Sequence, residues 1–170
     1  MKTFHRVGGA MLIATGVLLC SSAAMAIETK PALTLDLAKK IAMGCEAKAQ
    51  QEDWKMNIAV VNDGTNLLYF EHMDGAYLGS IYISQQKAIT SANFPFSTRT
   101  VGELARGSEG KPAMVPGLSD VPGIITFAGG LPIMTAGKVQ IGGIGVSGGT
   151  PDQDEECAKA ALSAVAGDLR

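Results

Sequence analysis

Gly142-Gly-Ile-Gly145-Val-Ser147-Gly148-Gly149-Thr150-Pro151 sets the architecture of this chain. Its inner part, Gly143-Ile-Gly145-Val-Ser147-Gly148, matches the dinucleotide fingerprint G-x-G-x-x-G literally and lies between a predicted strand and a predicted helix. A nucleotide-binding fold needs a second strand after the motif, carrying an acid for the ribose. Only 22 residues follow Gly148, and Asp152, Asp154, Glu155 and Glu156 would repel a pyrophosphate at the helix start. The glycines therefore read as a last strand that passes closely under one helix and turns sharply into another. The stretch also fits G-x-S-x-G around Ser147, but no histidine follows to activate the serine, so hydrolysis is not expected.

The helix after this stretch is the best signalled element. Thr150 is its N-cap, Pro151 its first residue and Gln153 the partner in a capping box, and Cys157, Ala160, Ala161, Ala164 and Val165 form its apolar stripe. Upstream, Thr34 caps a helix running to about Asp53, with Ala38, Ile41, Ala42, Cys45 and Ala49 at helical spacing. Residues 56–62 and 67–72 are strand-like runs around Asp63-Gly64-Thr65-Asn66, which predicts a hairpin. Leu78, Ile81, Tyr82, Ile89 and Ala92 predict a second long helix over 76–93.

From Phe94 to Gly123 four prolines and several glycines predict an irregular span, broken by a short helix for which Thr100 and Glu103 fit a capping box. Loops of this length in compact domains are commonly functional, so the span is a candidate pocket wall. Three further strands are predicted over 124–127, 131–135 and 139–146. The order helix, two strands, helix, three strands, helix predicts an α+β fold with a five-stranded antiparallel sheet.

Composition narrows the function. The chain has 170 residues, 14 Lys+Arg against 16 Asp+Glu, and 5% aromatic residues. A net charge of −2 gives no electrostatic basis for a nucleic-acid or acidic-membrane partner, and so few rings cannot build a base-stacking platform. Residues 1–26 read as a secretory signal peptide: Lys2 and Arg6, an apolar run over 10–19, then Ala24-Met25-Ala26 as the cleavage pattern. The run is shorter than the ~20 residues of a spanning helix, and Leu19 before Cys20 does not suit a lipoprotein signal. Cleavage would leave a single domain over 27–170 with 12 basic and 16 acidic side chains, no membrane span, and a periplasmic or secreted location. Of the cysteines only Cys45 and Cys157 would remain; an oxidising compartment allows them to pair, and the alternative is two separate small core residues.

His72 is the one histidine outside the leader, so no two-histidine metal site can form within one chain. A single imidazole suits haem ligation or acid–base work; a lone histidine at a strand end is otherwise a surface residue. Met43, Met73, Met114 and Met134 offer thioethers to a flat apolar cofactor or fill gaps in the core. Lys87, with Thr90 and Ser91 one turn on, places a cation beside hydroxyls.

Five blocks taken together carry a family likeness: Ile58-Ala-Val-Val-Asn-Asp63-Gly64, Met73-Asp74-Gly75-Ala76, Lys87-Ala88-Ile-Thr90, Gly129-Gly130-Leu-Pro132-Ile133, and Gly142-Gly-Ile-Gly145-Val-Ser147-Gly148. From about Leu33 to the C-terminus the chain resembles the GlcG/HbpS-like haem-binding family, which includes the C-terminal domain of PduO-type corrinoid adenosyltransferases. The resemblance implies a profilin-like five-stranded antiparallel sheet with helices on both faces, and homo-oligomers. It implies haem as cofactor, while members are described variously as haem binders, haem-degrading proteins and accessory proteins of glycolate or diol metabolism. His72 stands where the family commonly has an arginine, and residues 34–53 hold no histidine for first-helix ligation.

The expectation is an exported haem-binding protein for haem capture or sensing, with catalysis such as haem degradation left open. Its pocket would lie among the 71–76 turn, the second helix near Lys87 and the 94–123 span, with His72, Met73, Asp74, Lys87 and Thr90 as binding residues. His72 is the first choice of iron ligand and Cys45 the second. The alternative is an enzyme or accessory factor for a small oxygenated metabolite, with Asp74 and Lys87 as acid–base or anion-binding groups.

Overall fold

The structure is a computed structural model that describes residues 29–170. The expected signal peptide falls on residues 1–26, outside the described residues. Residues 31–170 form one compact unit. Its elements are α1 (Leu35–Gln51), β1 (Asn57–Asn62), β2 (Leu67–His72), α2 (Gly79–Asn93), α3 (Thr98–Arg106), β3 (Gly130–Met134), β4 (Gln140–Ser147) and α4 (Pro151–Ala164), with a 3-10 turn at Pro116–Asp120. The sheet order is β2-β1-β4-β3 and every pairing is antiparallel. Helices α1 and α4 pack on one face and α2 on the other, which gives the expected α+β fold with helices on both faces.

The described residues form four strands, not the expected five. The span 124–127 is no strand, because side chains take its backbone groups. The Ile125 N–H donates to Thr90 Oγ1 at 3.0 Å, and Arg106 donates to the Thr126 carbonyl. Pairing with β4 begins only where the Val146 N–H donates to the Gly129 carbonyl at 2.8 Å. Gly129, at φ +122°, turns the chain there in a way an L side chain rarely permits.

The glycines of β4 act as the sequence suggests. A Cβ on Gly145 would lie 2.0 Å from the Ser84 carbonyl oxygen and 2.3 Å from the Ala88 nitrogen, both on α2. One on Gly143 would lie 2.4 Å from the Ala88 carbonyl oxygen. Helix α2 therefore lies almost on the strand's backbone. So close an approach favours small side chains, and the buried face of α2 is Ser80, Ser84, Ala88, Thr90, Ser91 and Ala92, with Lys87 the one long side chain, its Nζ carried to Asp154. The Leu78 and Tyr82 that marked this helix in the sequence point to solvent, and the helix begins at Gly79 instead of Ala76. Helix α3 is capped by Ser97, whose Oγ accepts from the Thr100 N–H; the expected cap, Thr100, lies inside the helix.

On the other face, α1 buries the five residues its periodicity picks out, and α4 has the complete Thr150–Gln153 capping box, a device worth ~1 kcal/mol. A disulfide between Cys45 and Cys157 joins the two helices with Cα atoms 4.8 Å apart. The main core lies between these helices and the sheet, around Ile41, Met56, Ile58, Val60, Ile133 and Ile144. Each such side chain contributes ~2 kcal/mol by leaving water.

Candidate functional site

Helix α2 packs on β4, β1 and β3, and β2 forms the edge of the sheet beyond it. Near the end of β2, the side chains around the following turn border a hollow of about 380 Å³, lined by Glu46, Gln50, Lys55, Glu71, His72, Met73 and Asp74. A second hollow of about 440 Å³ shares Lys55 and is lined by Trp54, Gly75, Tyr77 and the start of α4. The two flank the 73–76 turn, which closes through an Ala76 N–H donated to the Met73 carbonyl and a Gly75 at φ +84°. Their size falls in the range of small-molecule sites, roughly 300–1,000 Å³.

His72 is exposed and pairs across the sheet with Asn57. Its Nδ1 lies 2.6 Å from Asn57 Oδ1, and Asn57 Nδ2 donates to the Tyr77 carbonyl at 3.0 Å. Nε2 has no hydrogen-bond partner among the described residues. Glu71 faces the α1 side of the same hollow. Burial and then the nearby charge of Glu46 push its pKa up, against the Tyr69 hydroxyl that donates to it. Met73 is half-buried against the core and acts there as packing, and Asp74 is exposed.

The other two candidates lie elsewhere. Lys87 is fully buried two strands away across the sheet, where Nζ donates to the Val146 carbonyl at 2.9 Å and to Asp154 Oδ2 at 2.7 Å. The Phe127 ring covers the ammonium, its centroid 4.8 Å away. Burial pushes the Lys87 pKa down and the Asp154 pKa up, and their mutual attraction opposes both shifts. The Gly149 N–H also donates to Asp154, at 2.9 Å. Lys87 thus joins α2 to the start of α4. Thr90 Oγ1 is taken up by Ile125 and Gly123.

The structure therefore gathers His72, Met73 and Asp74 and sets Lys87 and Thr90 apart from them. The pocket expected among the 71–76 turn, Lys87 and the 94–123 span is not one pocket. Helix α3 packs against β3, the opposite edge of the sheet from β2, and lines a separate hollow of about 250 Å³ with Arg99, Arg106 and Phe127. Asp74 and Lys87 cannot share a small metabolite in this arrangement. Cys45 is committed to the disulfide, which removes it as an iron ligand. The four methionines do not converge, since Met43 and Met114 are exposed on α1 and in the 94–123 span and Met134 sits in β3.

Sequence reasoning passed over Asn57, Trp54, Lys55 and Tyr77. Asn57 left one signal, an amide opening the otherwise apolar run Asn57-Ile-Ala-Val-Val. A buried amide needs partners, and the sequence does not say which.

The comparisons with known proteins agree with this architecture. The chain is 38% identical over 130 residues to the "Uncharacterized 15.0 kDa protein in dhaT-dhaS intergenic region" of Citrobacter freundii, covering 76% of this chain and 89% of that protein. It is 35% identical over 121 residues to Protein GlcG of Escherichia coli strain K12, covering 71% and 85%. The crystal structure of HbpS superposes with a TM-score of 0.73 at 29% identity, covering 84% of this chain and 96% of that one. The crystal structure of a PduOC:heme complex shares the fold, with a TM-score of 0.69 at 23% identity over 79% and 95%. The family model described as "Haem degrading protein HbpS-like" matches residues 33–163, so the chain belongs to the HbpS-like family, the GlcG/HbpS group that its sequence blocks resemble.

Proposed function

We propose that this chain is an exported haem-binding protein that captures or senses haem, with His72 as the protein ligand to the iron. The observation that carries this reading is an exposed imidazole on an edge strand, anchored through one ring nitrogen and unpartnered at the other. Among the described residues no group of three or more His, Cys, Asp or Glu is placed to hold a bare metal ion. A macrocycle would fill the remaining positions of an iron held by His72.

Trp54 and Tyr77, which line the neighbouring hollow, offer aromatic surface, and Lys55, shared by both hollows, offers a cation for propionates. The hollow that His72 itself lines also carries Glu46, Glu71 and Asp74, so the propionates would be directed to Lys55 and away from these acids. A bound haem would supply a redox-active iron, which His72 would hold. The chain's own work is to orient the imidazole, cover the macrocycle and balance its acid groups. Family membership and the haem complex of the PduO C-terminal domain support the ligand.

One chain leaves the site open, and the surface beside it is apolar. Tyr77, Leu78 and Tyr82 are 71%, 77% and 63% exposed at the start of α2. A second copy packed over this patch would bury it and enclose the haem, the homo-oligomer that the family resemblance implies. Export is supported by the buried Cys45–Cys157 disulfide, a bond characteristic of oxidising compartments, together with the leader-like residues 1–26.

Haem titrated into the purified protein tests the reading. A sharp Soret band that saturates, and that shifts or weakens in His72→Ala, is expected. A broad band, identical with and without His72, would overturn the assignment.

A further inference from the structure

We infer that Asn57 is the residue that makes His72 a competent ligand: it holds the proton on Nδ1 and so leaves the lone pair on the outward Nε2. The purpose of this arrangement rests on the haem-binding reading, whereas its geometry does not.

Asn57 is fully buried in β1, beside Ile58, Ala59, Val60 and Val61. An amide in such surroundings without partners costs about 1–3 kcal/mol, yet Asn57 satisfies both ends of its side chain. Its Nδ2 faces the Tyr77 carbonyl at 3.0 Å, and a carbonyl only accepts, so the amide cannot be flipped. That fixes Oδ1 toward His72, 2.6 Å from Nδ1. Oδ1 also only accepts, so Nδ1 carries the proton whenever the ring is neutral.

Free histidine favours the opposite tautomer, with its proton on Nε2, which would block a metal from that nitrogen. Asn57 reverses the preference before any ligand arrives and fixes the ring plane against β1. The sheet register sets Asn57 opposite His72, and the chain entering α2 supplies the Tyr77 carbonyl that locks the amide. Asn57 is a positioning residue, because it touches the imidazole and not the ligand.

Nitrogen-15 NMR of the haem-free protein in alkaline buffer reads the tautomer directly. His72 is expected as the Nδ1–H form in the wild type, and as largely the Nε2–H form in Asn57→Leu. Haem affinity is expected to fall about 10- to 100-fold in Asn57→Leu, the usual cost of losing such a partner. Asn57→Asp, which keeps an acceptor, should retain binding, lower the reduction potential and raise the ferrous iron–histidine stretching frequency. A purely structural asparagine would move neither.

An Nε2–H tautomer in the wild type, or unchanged affinity and potential in both variants, would overturn the inference. If Asn57→Leu does not fold, the wild-type tautomer and the Asn57→Asp potential decide. An Nδ1–H tautomer in a protein that takes up no haem would uphold the role of Asn57 and remove the haem reading.

Discussion

Replacing Cys45 and Cys157 by alanine removes the covalent tie between α1 and α4, and the size of the loss follows from the chain length they enclose. The two residues are 112 apart in sequence. On the chain-entropy account, closing a loop of that length restricts the unfolded chain by about 16 cal/mol/K, or about 5 kcal/mol at 25 °C. Unfolding a domain of about 140 residues carries roughly 300 cal/mol/K of entropy at its midpoint. The double variant should therefore melt on the order of 15 °C below the wild type. The two cysteines are fully buried, so their truncation adds a packing loss in the same direction. Calorimetry of both proteins, with non-reducing peptide mass analysis of the wild type, measures the effect. A variant that melts within about 3 °C of the wild type would show that the tie does not restrict the unfolded chain as reasoned. So would two alkylatable thiols in the wild-type protein isolated without reductant.

Further expectations concern the buried pair, the helix–strand contact and the edge carboxyl. Lys87→Met leaves Asp154 buried without its cation and should cost about 3–5 kcal/mol in urea unfolding; adding Asp154→Leu should recover part of that, and no recovery would mean the two residues act separately. Gly145→Ala places a methyl inside the α2 backbone and should cost at least the 1–3 kcal/mol of ordinary overpacking, whereas Gly117→Ala, with nothing within 4 Å, should stay within about 0.5 kcal/mol. Burial raises the Glu71 pKa, so its charged form opposes folding at neutral pH, and this penalty fades as pH falls through the raised pKa and is gone below the ordinary value of 4.5. Glu71→Gln should accordingly be neutral or stabilising at pH 7 and lose any advantage in acid; a destabilised variant at pH 7 would contradict the cause assigned to the shift.

What was legible in the sequence is what repeats along it. The apolar period of α1, the Thr150–Gln153 box and the turn at 63–66 depend on neighbours in the chain, and the structure places all three as expected. Helix α2 was located for a reason only partly right: Ala92 is buried and Ile89 packs on the core, but Leu78 and Tyr82 face solvent, because glycines some 60 residues later bring the helix so close that its inner face is mostly small residues. The fifth strand failed in the same way. Residues 124–127 are β-prone, but Thr90 and Arg106 reach their backbone first, and no local pattern records that.

The candidate site divides along the same line. His72 was visible as a singular residue and Met73 and Asp74 as its neighbours in the chain. Lys87 looked chemically available because a lone lysine on a helix normally reaches water; only the fold shows Asp154 and the Val146 carbonyl holding it under Phe127. Asn57 was invisible as a partner, since its tie to His72 crosses two strands and depends on register.

The absorption spectrum of the protein recovered from haem-replete cells addresses the account most directly. A Soret band with about one haem per chain, diminished in protein carrying His72→Ala, is the predicted result. A colourless protein that also gives no sharp band when haem is added would contradict it.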